Sequence, residues 1–183
     1  SVDGYSSRIH YTSEWILQAE DLGLAKEISC SAEGIPLVQE ISYMSTHANQ
    51  YPALASDWEM TERITYTEQQ LEQKLRQKGS CFIPKENLDK GLDWILPGDM
   101  ICFVTRVKGL DISHVAFAWG RGSDGLTIPA GGLVTKFLHA SSAEKKVVVD
   151  KKTIKEYAAG IKSCTGIRVV RFGDETIKKP VRV

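Results

Sequence analysis

No run of about 18 apolar residues occurs in the sequence, so nothing in it reads as a transmembrane helix. No basic leader with an apolar core opens it either. The first residue is Ser1, not Met, which reads as a processed or trimmed start, so the missing leader says little about compartment. Neither sign of charge is in excess: 23 Lys and Arg face 23 Asp and Glu. Nucleic-acid binders usually carry a basic surplus, so no nucleic-acid partner is expected. Cysteine is scarce. Cys30, Cys81, Cys102 and Cys164 form no C-x-x-C pair, which argues against a zinc ribbon or a thioredoxin-type motif. Four in a chain this long are also too sparse for a disulfide scaffold. Repeats and low-complexity tracts are missing too. What remains is a chain of 183 residues, enough for a single domain over 1–183 with its own core.

The pattern over 1–95 is mainly helical. Thr12 or Ser13 can cap a helix carrying Trp15, Ile16 and Leu22, with Gly23 at its end. Pro52 can open a second, with Leu54, Trp58 and Met60 on related faces. Thr67 and Gln70 have capping-box spacing ahead of Leu71, Leu75 and Gly79. Residues 96–183 read mainly as strands. Pro97-Gly98-Asp99 is a turn, and Met100 to Thr105 runs apolar like a buried strand. His114 to Trp119 alternates, with His114, Ala116 and Ala118 on one face and Val115, Phe117 and Trp119 on the other. A glycine-rich connection, Gly120 to Gly132, leads to a strand over Leu133 to His139 with Phe137 and His139 on one face. Val147 to Val149 is short and β-branched. Asp150 can cap a helix through Tyr157 that ends near Gly160, and Ile167 to Phe172 closes the chain's strands. The class is α+β, an antiparallel sheet from the C-terminal half packed on the N-terminal helices.

Chemistry concentrates at two histidines. His114 begins one strand and His139 ends the next, so antiparallel pairing would bring the two imidazoles together. A base working near neutral pH needs a pKa close to that of imidazole. A second polar group must then hold it in one tautomer, as the acid does in a Ser-His-Asp triad. Such a base turns a cysteine into a thiolate that attacks a carbonyl. The alanines at 116 and 118 leave room beside it. A zinc reading would need a third ligand, and His10, His47, Asp99 and Asp111 are only scattered candidates; no metal and no cofactor are expected.

Gly98-Asp99, then Ser113-His114-Val115, then Leu138-His139-Ala140 is similar to the second half of NlpC/P60-type, papain-like cysteine hydrolases. Further segments resemble the narrower DUF1460, or N-acetylmuramoyl-L-alanine amidase-like, branch. They are Gly4-Tyr5-Ser6-Ser7-Arg8-Ile9-His10-Tyr11-Thr12-Ser13-Glu14-Trp15, Gly109-Leu110-Asp111, His139-Ala140-Ser141-Ser142 and Gly166-Ile167-Arg168-Val169-Val170-Arg171. The resemblance implies a papain-like fold with His114 as base and His139 as its orienter. It also implies a peptidoglycan or muropeptide substrate, cut at the muramoyl–L-alanine bond or within the stem peptide. The implied location is the periplasm or cell surface of a bacterium. The family's nucleophile is a cysteine opening a helix upstream of the Ser-Arg-x-His-Tyr segment, and no residue here matches it. The chain is therefore expected to be the C-terminal portion of a longer protein, inactive alone. Cys81 would keep the order Cys, His, His, but it precedes an extended, proline-bounded stretch rather than a helix.

Other residues have plainer alternatives. Arg8, His10 and Tyr11 could contact a substrate carboxylate or sugar, Arg8 through a bidentate fork, while Trp15 is expected in the core. Asp111 and Ser113 either line the site or finish a loop. Asp99 is expected to bond backbone N–H groups of its turn. Two other functions compete. A xylanase-like glycosidase would need paired carboxylates, Asp57 with Glu59 or Asp99 with Asp111, with Trp58 and Trp94 as sugar platforms. A wall-binding module would keep the fold without turnover.

Overall fold

The computed structural model describes residues 4–120 and 136–173. The Gly120 to Gly132 connection, beyond Gly120 itself, and residues 133–135 of the expected Leu133 to His139 strand lie outside them. Among the described residues eight strands form one sheet: β1 Ala25–Glu27, β2 Ile35–Leu37, β3 Ser80–Pro84, β4 Met100–Thr105, β5 Ile112–Trp119, β6 Lys136–Ser141, β7 Lys146–Val149 and β8 Cys164–Phe172. Their order is β2-β3-β8-β4-β5-β6-β7, with β1 also on β8, and every pairing is antiparallel. The helices are α1 Thr12–Asp21, α2 Tyr43–Thr46, α3 Trp58–Lys78, α4 Leu88–Gly91 and α5 Ile154–Gly160. The fold is thus α+β, as the pattern implies. The division into halves is less clean than expected, because β1, β2 and β3 lie in the first half.

Strand β4 shows why the unbroken apolar run of Met100 to Thr105 suits the middle of the sheet. All six residues are buried, since both faces are covered. Ile101 and Phe103 point into a core shared with α4, α5 and Phe137. Met100, Cys102 and Val104 point the other way, against Ile16 and Ala19 of α1. Beside β4 runs β8, where Gly166 has no room for a side chain: a Cβ there would sit 2.1 Å from the Ile83 carbonyl oxygen. A third cluster lies between α2 and α3 and includes Tyr11, Met44, Ile64 and Leu71.

Four expected helix caps or starts are not as the pattern implies. α1 begins at Thr12, but neither Thr12 nor Ser13 caps it; the Asp111 carboxylate, from a distant part of the chain, accepts from the Ser13 N–H at 2.7 Å. Pro52 opens no helix. One long helix, α3, runs from Trp58 with Asp57 as its cap (Met60 N–H to Asp57 Oδ1, 2.8 Å). Thr67 is therefore interior, its hydroxyl turned onto the Arg63 carbonyl, and the Thr67/Gln70 capping box does not form. α3 does end at Gly79, whose φ of 73° a side chain would resist. Asp150 does not cap α5; Thr153 does, in a reciprocal capping box with Glu156.

Candidate active site

The β5–β6 pairing carries the two histidines to one place. Phe117 pairs with Leu138, so the beginning of β5 lies beside the end of β6. His114 sits opposite Phe103 of β4 and stacks on it, with ring centroids 6.0 Å apart. The register of β4 and β5 shifts between Phe103 and Val104, which pairs with Ile112. Ser113 is the extra residue of this bulge. The bulge lets Ile112 turn to the α1 side of the sheet while His114 stays on the Phe103 side. On that side His139 follows two residues after Phe137, and its ring lies against the Phe137 ring.

The imidazoles meet edge to face, centroids 5.0 Å apart, with His114 Nε2 and His139 Nδ1 at 2.8 Å. His139 is buried and His114 half-buried. Tyr157 of α5 packs on both rings and on Phe103 and Phe137. Burial first, and the neighbouring His139 second, hold the His114 pKa below the ordinary imidazole value. His114 Nδ1 has no hydrogen-bond partner among the described residues. A neutral imidazole with a free ring nitrogen, its other nitrogen tied to a buried partner, is arranged to take up a proton.

Two residues the sequence reading left out join this pair. Tyr157, read only as the end of a helix, is the aromatic wall of the site. Asp150, read as a helix cap, instead brings Oδ2 to 3.1 Å from His139 Nε2. The angle is bent, so the contact is close without being an aligned hydrogen bond. The sequence signal for Asp150 was its place just after β7, the strand paired with β6.

None of the four cysteines can serve the pair as a nucleophile. Cys81 is disulfide-bonded to Cys30 and has no thiol, which removes the alternative in which it attacks. Cys102 pairs with Val115 on the α1 face, opposite to the His114 face, and burial pushes its thiol pKa up to about 12. Cys164 is 1% exposed, donates to the Gly166 carbonyl and is likewise raised by burial.

The remaining residues singled out in the sequence are dispersed. Tyr11 is buried and donates to Glu68 Oε1 at 2.5 Å, which ties α1 to α3. Asp111 is buried at the start of α1, accepting from Ser13 and Ile112. His10 bonds the Tyr5 carbonyl, and Arg8 is exposed with its guanidinium over the Tyr5 ring. Ser113 is exposed, its hydroxyl on the Phe103 carbonyl. Trp15 is only partly buried, at the edge of the α1 core. Asp99 accepts from Leu96 N–H as a turn residue, and it also forms a buried ion pair with Arg171. Of the carboxylate pairs a glycosidase would need, Asp99 and Asp111 are thus committed to structural bonds, and Asp57 caps α3. His47 bonds the Tyr43 carbonyl. No group of three metal-ligating side chains is found among the described residues, and no helix there is long and apolar enough to cross a membrane.

A family model described as AmiA-like, N-acetylmuramoyl-L-alanine amidase-like, matches residues 1–167. None of the curated proteins matches. Among solved structures, a protein of Bacteroides fragilis provisionally named a xylanase is 34% identical. Its TM-score is 0.80, with 94% of this chain and 69% of that chain covered. An N-acetylmuramoyl-L-alanine amidase of Bacteroides uniformis is 32% identical at a TM-score of 0.79, covering 95% and 68%. A Legionella pneumophila protein of the DUF1460 family shares the fold at a TM-score of 0.55 and 19% identity, covering 97% and 67%.

Proposed function

The chain belongs to the AmiA-like, N-acetylmuramoyl-L-alanine amidase-like family, and from that premise we propose that it carries the base and its orienter for a cysteine-type peptidoglycan amidase. The observation that carries the reading is the His114–His139 contact at 2.8 Å, with no partner on His114 Nδ1 among the described residues. His114 takes the proton of a cysteine thiol, and His139 orients it. The thiolate attacks the amide carbonyl. His114 then returns the proton to the departing amine as the C–N bond breaks, leaving a thioester. Water, deprotonated by the same imidazole, releases the acid. The bond is that between the muramoyl lactyl group and L-alanine, with a stem-peptide bond as the neighbouring choice.

Because none of the chain's cysteines suits the role, the nucleophile belongs, in this proposal, to a segment preceding Ser1. That segment would complete a papain-like, NlpC/P60-type fold. An intact mass of the native protein equal to that of these 183 residues would end this part of the reading. Arg8, His10 and Ser113, which keep a solvent-facing side, are the candidates for substrate contact. Tyr11 and Asp111 are buried in hydrogen bonds at the start of α1, with Glu68 and with the Ser13 N–H. The Cys30–Cys81 disulfide supports an oxidising location such as the periplasm or cell surface.

The test is digestion of defined muropeptides by the chain joined to its natural preceding segment, read by mass spectrometry. Release of the intact stem peptide, abolished by His114→Ala, is expected. Binding without turnover would instead make the protein a wall-binding module. Turnover that survives His114→Ala would remove the histidine mechanism.

A further inference from the structure

We propose that Asp150 is a positioning residue that sets the tautomer of both histidines, and so decides which nitrogen of His114 is free to act. The inference rests on the reading of His114 as base. The tautomers it predicts can be measured without any turnover.

His139 Nε2 is buried and has no aligned hydrogen-bond partner among the described residues. An ionised carboxylate can only accept, so a ring nitrogen 3.1 Å from Asp150 Oδ2 is stabilised when it bears hydrogen. The opposite tautomer would leave a bare nitrogen beside a carboxylate charge where water is largely excluded, His139 being 4% and Asp150 19% exposed at the side chain. With hydrogen on Nε2, neutral His139 has a bare Nδ1. That nitrogen must accept from His114 Nε2 across their 2.8 Å contact. His114 then carries its hydrogen on Nε2, and its Nδ1 holds the free lone pair. One carboxylate thereby fixes the protonation pattern of two rings, as an outer partner does for a ligand histidine.

Asp150 is held for this task. Its N–H donates to the Phe137 carbonyl at 3.0 Å, and its Oδ1 accepts from the Lys152 N–H at 2.7 Å. Only Oδ2 is left to face His139. Its charge is felt in the cluster: burial first and Asp150 second raise the Tyr157 hydroxyl pKa. Among the described residues Tyr157 is the titratable group packed on both rings, and Lys136, on the strand of His139, has its ammonium on the Lys151 carbonyl.

The experiment is 15N NMR of the imidazoles in the 183-residue chain, above both histidine midpoints, for wild type, Asp150→Ala and Asp150→Asn. In the wild type, Nε2 of both rings should be of the N–H type and both Nδ1 bare. Asp150→Ala should convert most of His139 to the Nδ1–H form and turn His114 Nε2 into an acceptor. Asp150→Asn should keep the wild-type tautomers, because its amide oxygen can still accept. It should also lower the His114 midpoint, because the negative charge is gone. Wild-type tautomers in a folded Asp150→Ala chain would overturn the proposal. Should that variant fail to fold, unchanged histidine midpoints in Asp150→Asn would overturn it. A tautomer switch in a protein that leaves muropeptides intact would retain this role and reject the amidase reading.

Discussion

Reduction of the Cys30–Cys81 bridge tests the fold and the proposed compartment together. The bridge joins β3 to the loop after β1 and closes a loop of sequence separation 51. Loop-closure entropy for that length amounts to about 4 kcal/mol at 25 °C in the chain-entropy account. For a domain of this size each kcal/mol moves Tm by roughly 2–4 °C, so the bridge should contribute about 8–16 °C. Thermal unfolding followed by circular dichroism, with and without dithiothreitol, reads the shift directly. The Cys30→Ser/Cys81→Ser variant supplies the same loss without reductant acting on other thiols. Thiol titration of the oxidised, denatured chain should count two thiols, from Cys102 and Cys164. A Tm change below about 3 °C, or four thiols in protein taken from its natural location, would refute the reasoning and withdraw the support for an oxidising compartment.

Other consequences can be checked in the same protein. Glu27→Gln leaves the Arg168 guanidinium, 1% exposed at the side chain, without its bidentate partner, and should cost about 3–5 kcal/mol in urea unfolding. A paired apolar replacement, Glu27→Leu with Arg168→Met, should recover much of that loss. Because the folded His114 pKa lies below its unfolded value of about 6.5, its contribution to stability is complete above that pH. That contribution declines as pH falls through the window down to the folded value. NMR titration of the His114 ring should therefore show a midpoint below 6.5, and a higher midpoint would contradict the burial assigned to it. Iodoacetamide should modify Cys102 and Cys164 only as fast as the chain opens, whereas rapid labelling of either would return it as a candidate nucleophile. Thr153→Ala removes the cap of α5, the helix that carries Tyr157, and should cost about 1 kcal/mol by chemical denaturation.

Alternation and local apolar runs were enough to place His114, Ala116 and Ala118 on one face of their strand and Phe137 with His139 on one face of theirs. They also placed β4 in the interior, because such patterns record burial residue by residue. The same patterns could bring the two histidines near each other only on the condition that β5 and β6 pair antiparallel. Helix starts were a different matter. Thr67 has the residue type and spacing of a cap yet sits inside α3, since packing of Ile64, Leu71 and Leu75 against Met44 and Leu54 outweighs a local preference worth about 1 kcal/mol. Asp111 caps α1 from nearly a hundred residues away, and Asp150 faces a histidine in place of the helix it precedes. The role of Asp111 leaves no trace in nearby sequence, and that of Asp150 leaves only its place just after β7. Each depends on where a short polar side chain lands once the strands have found their register, and that comes from long-range pairing of the sheet.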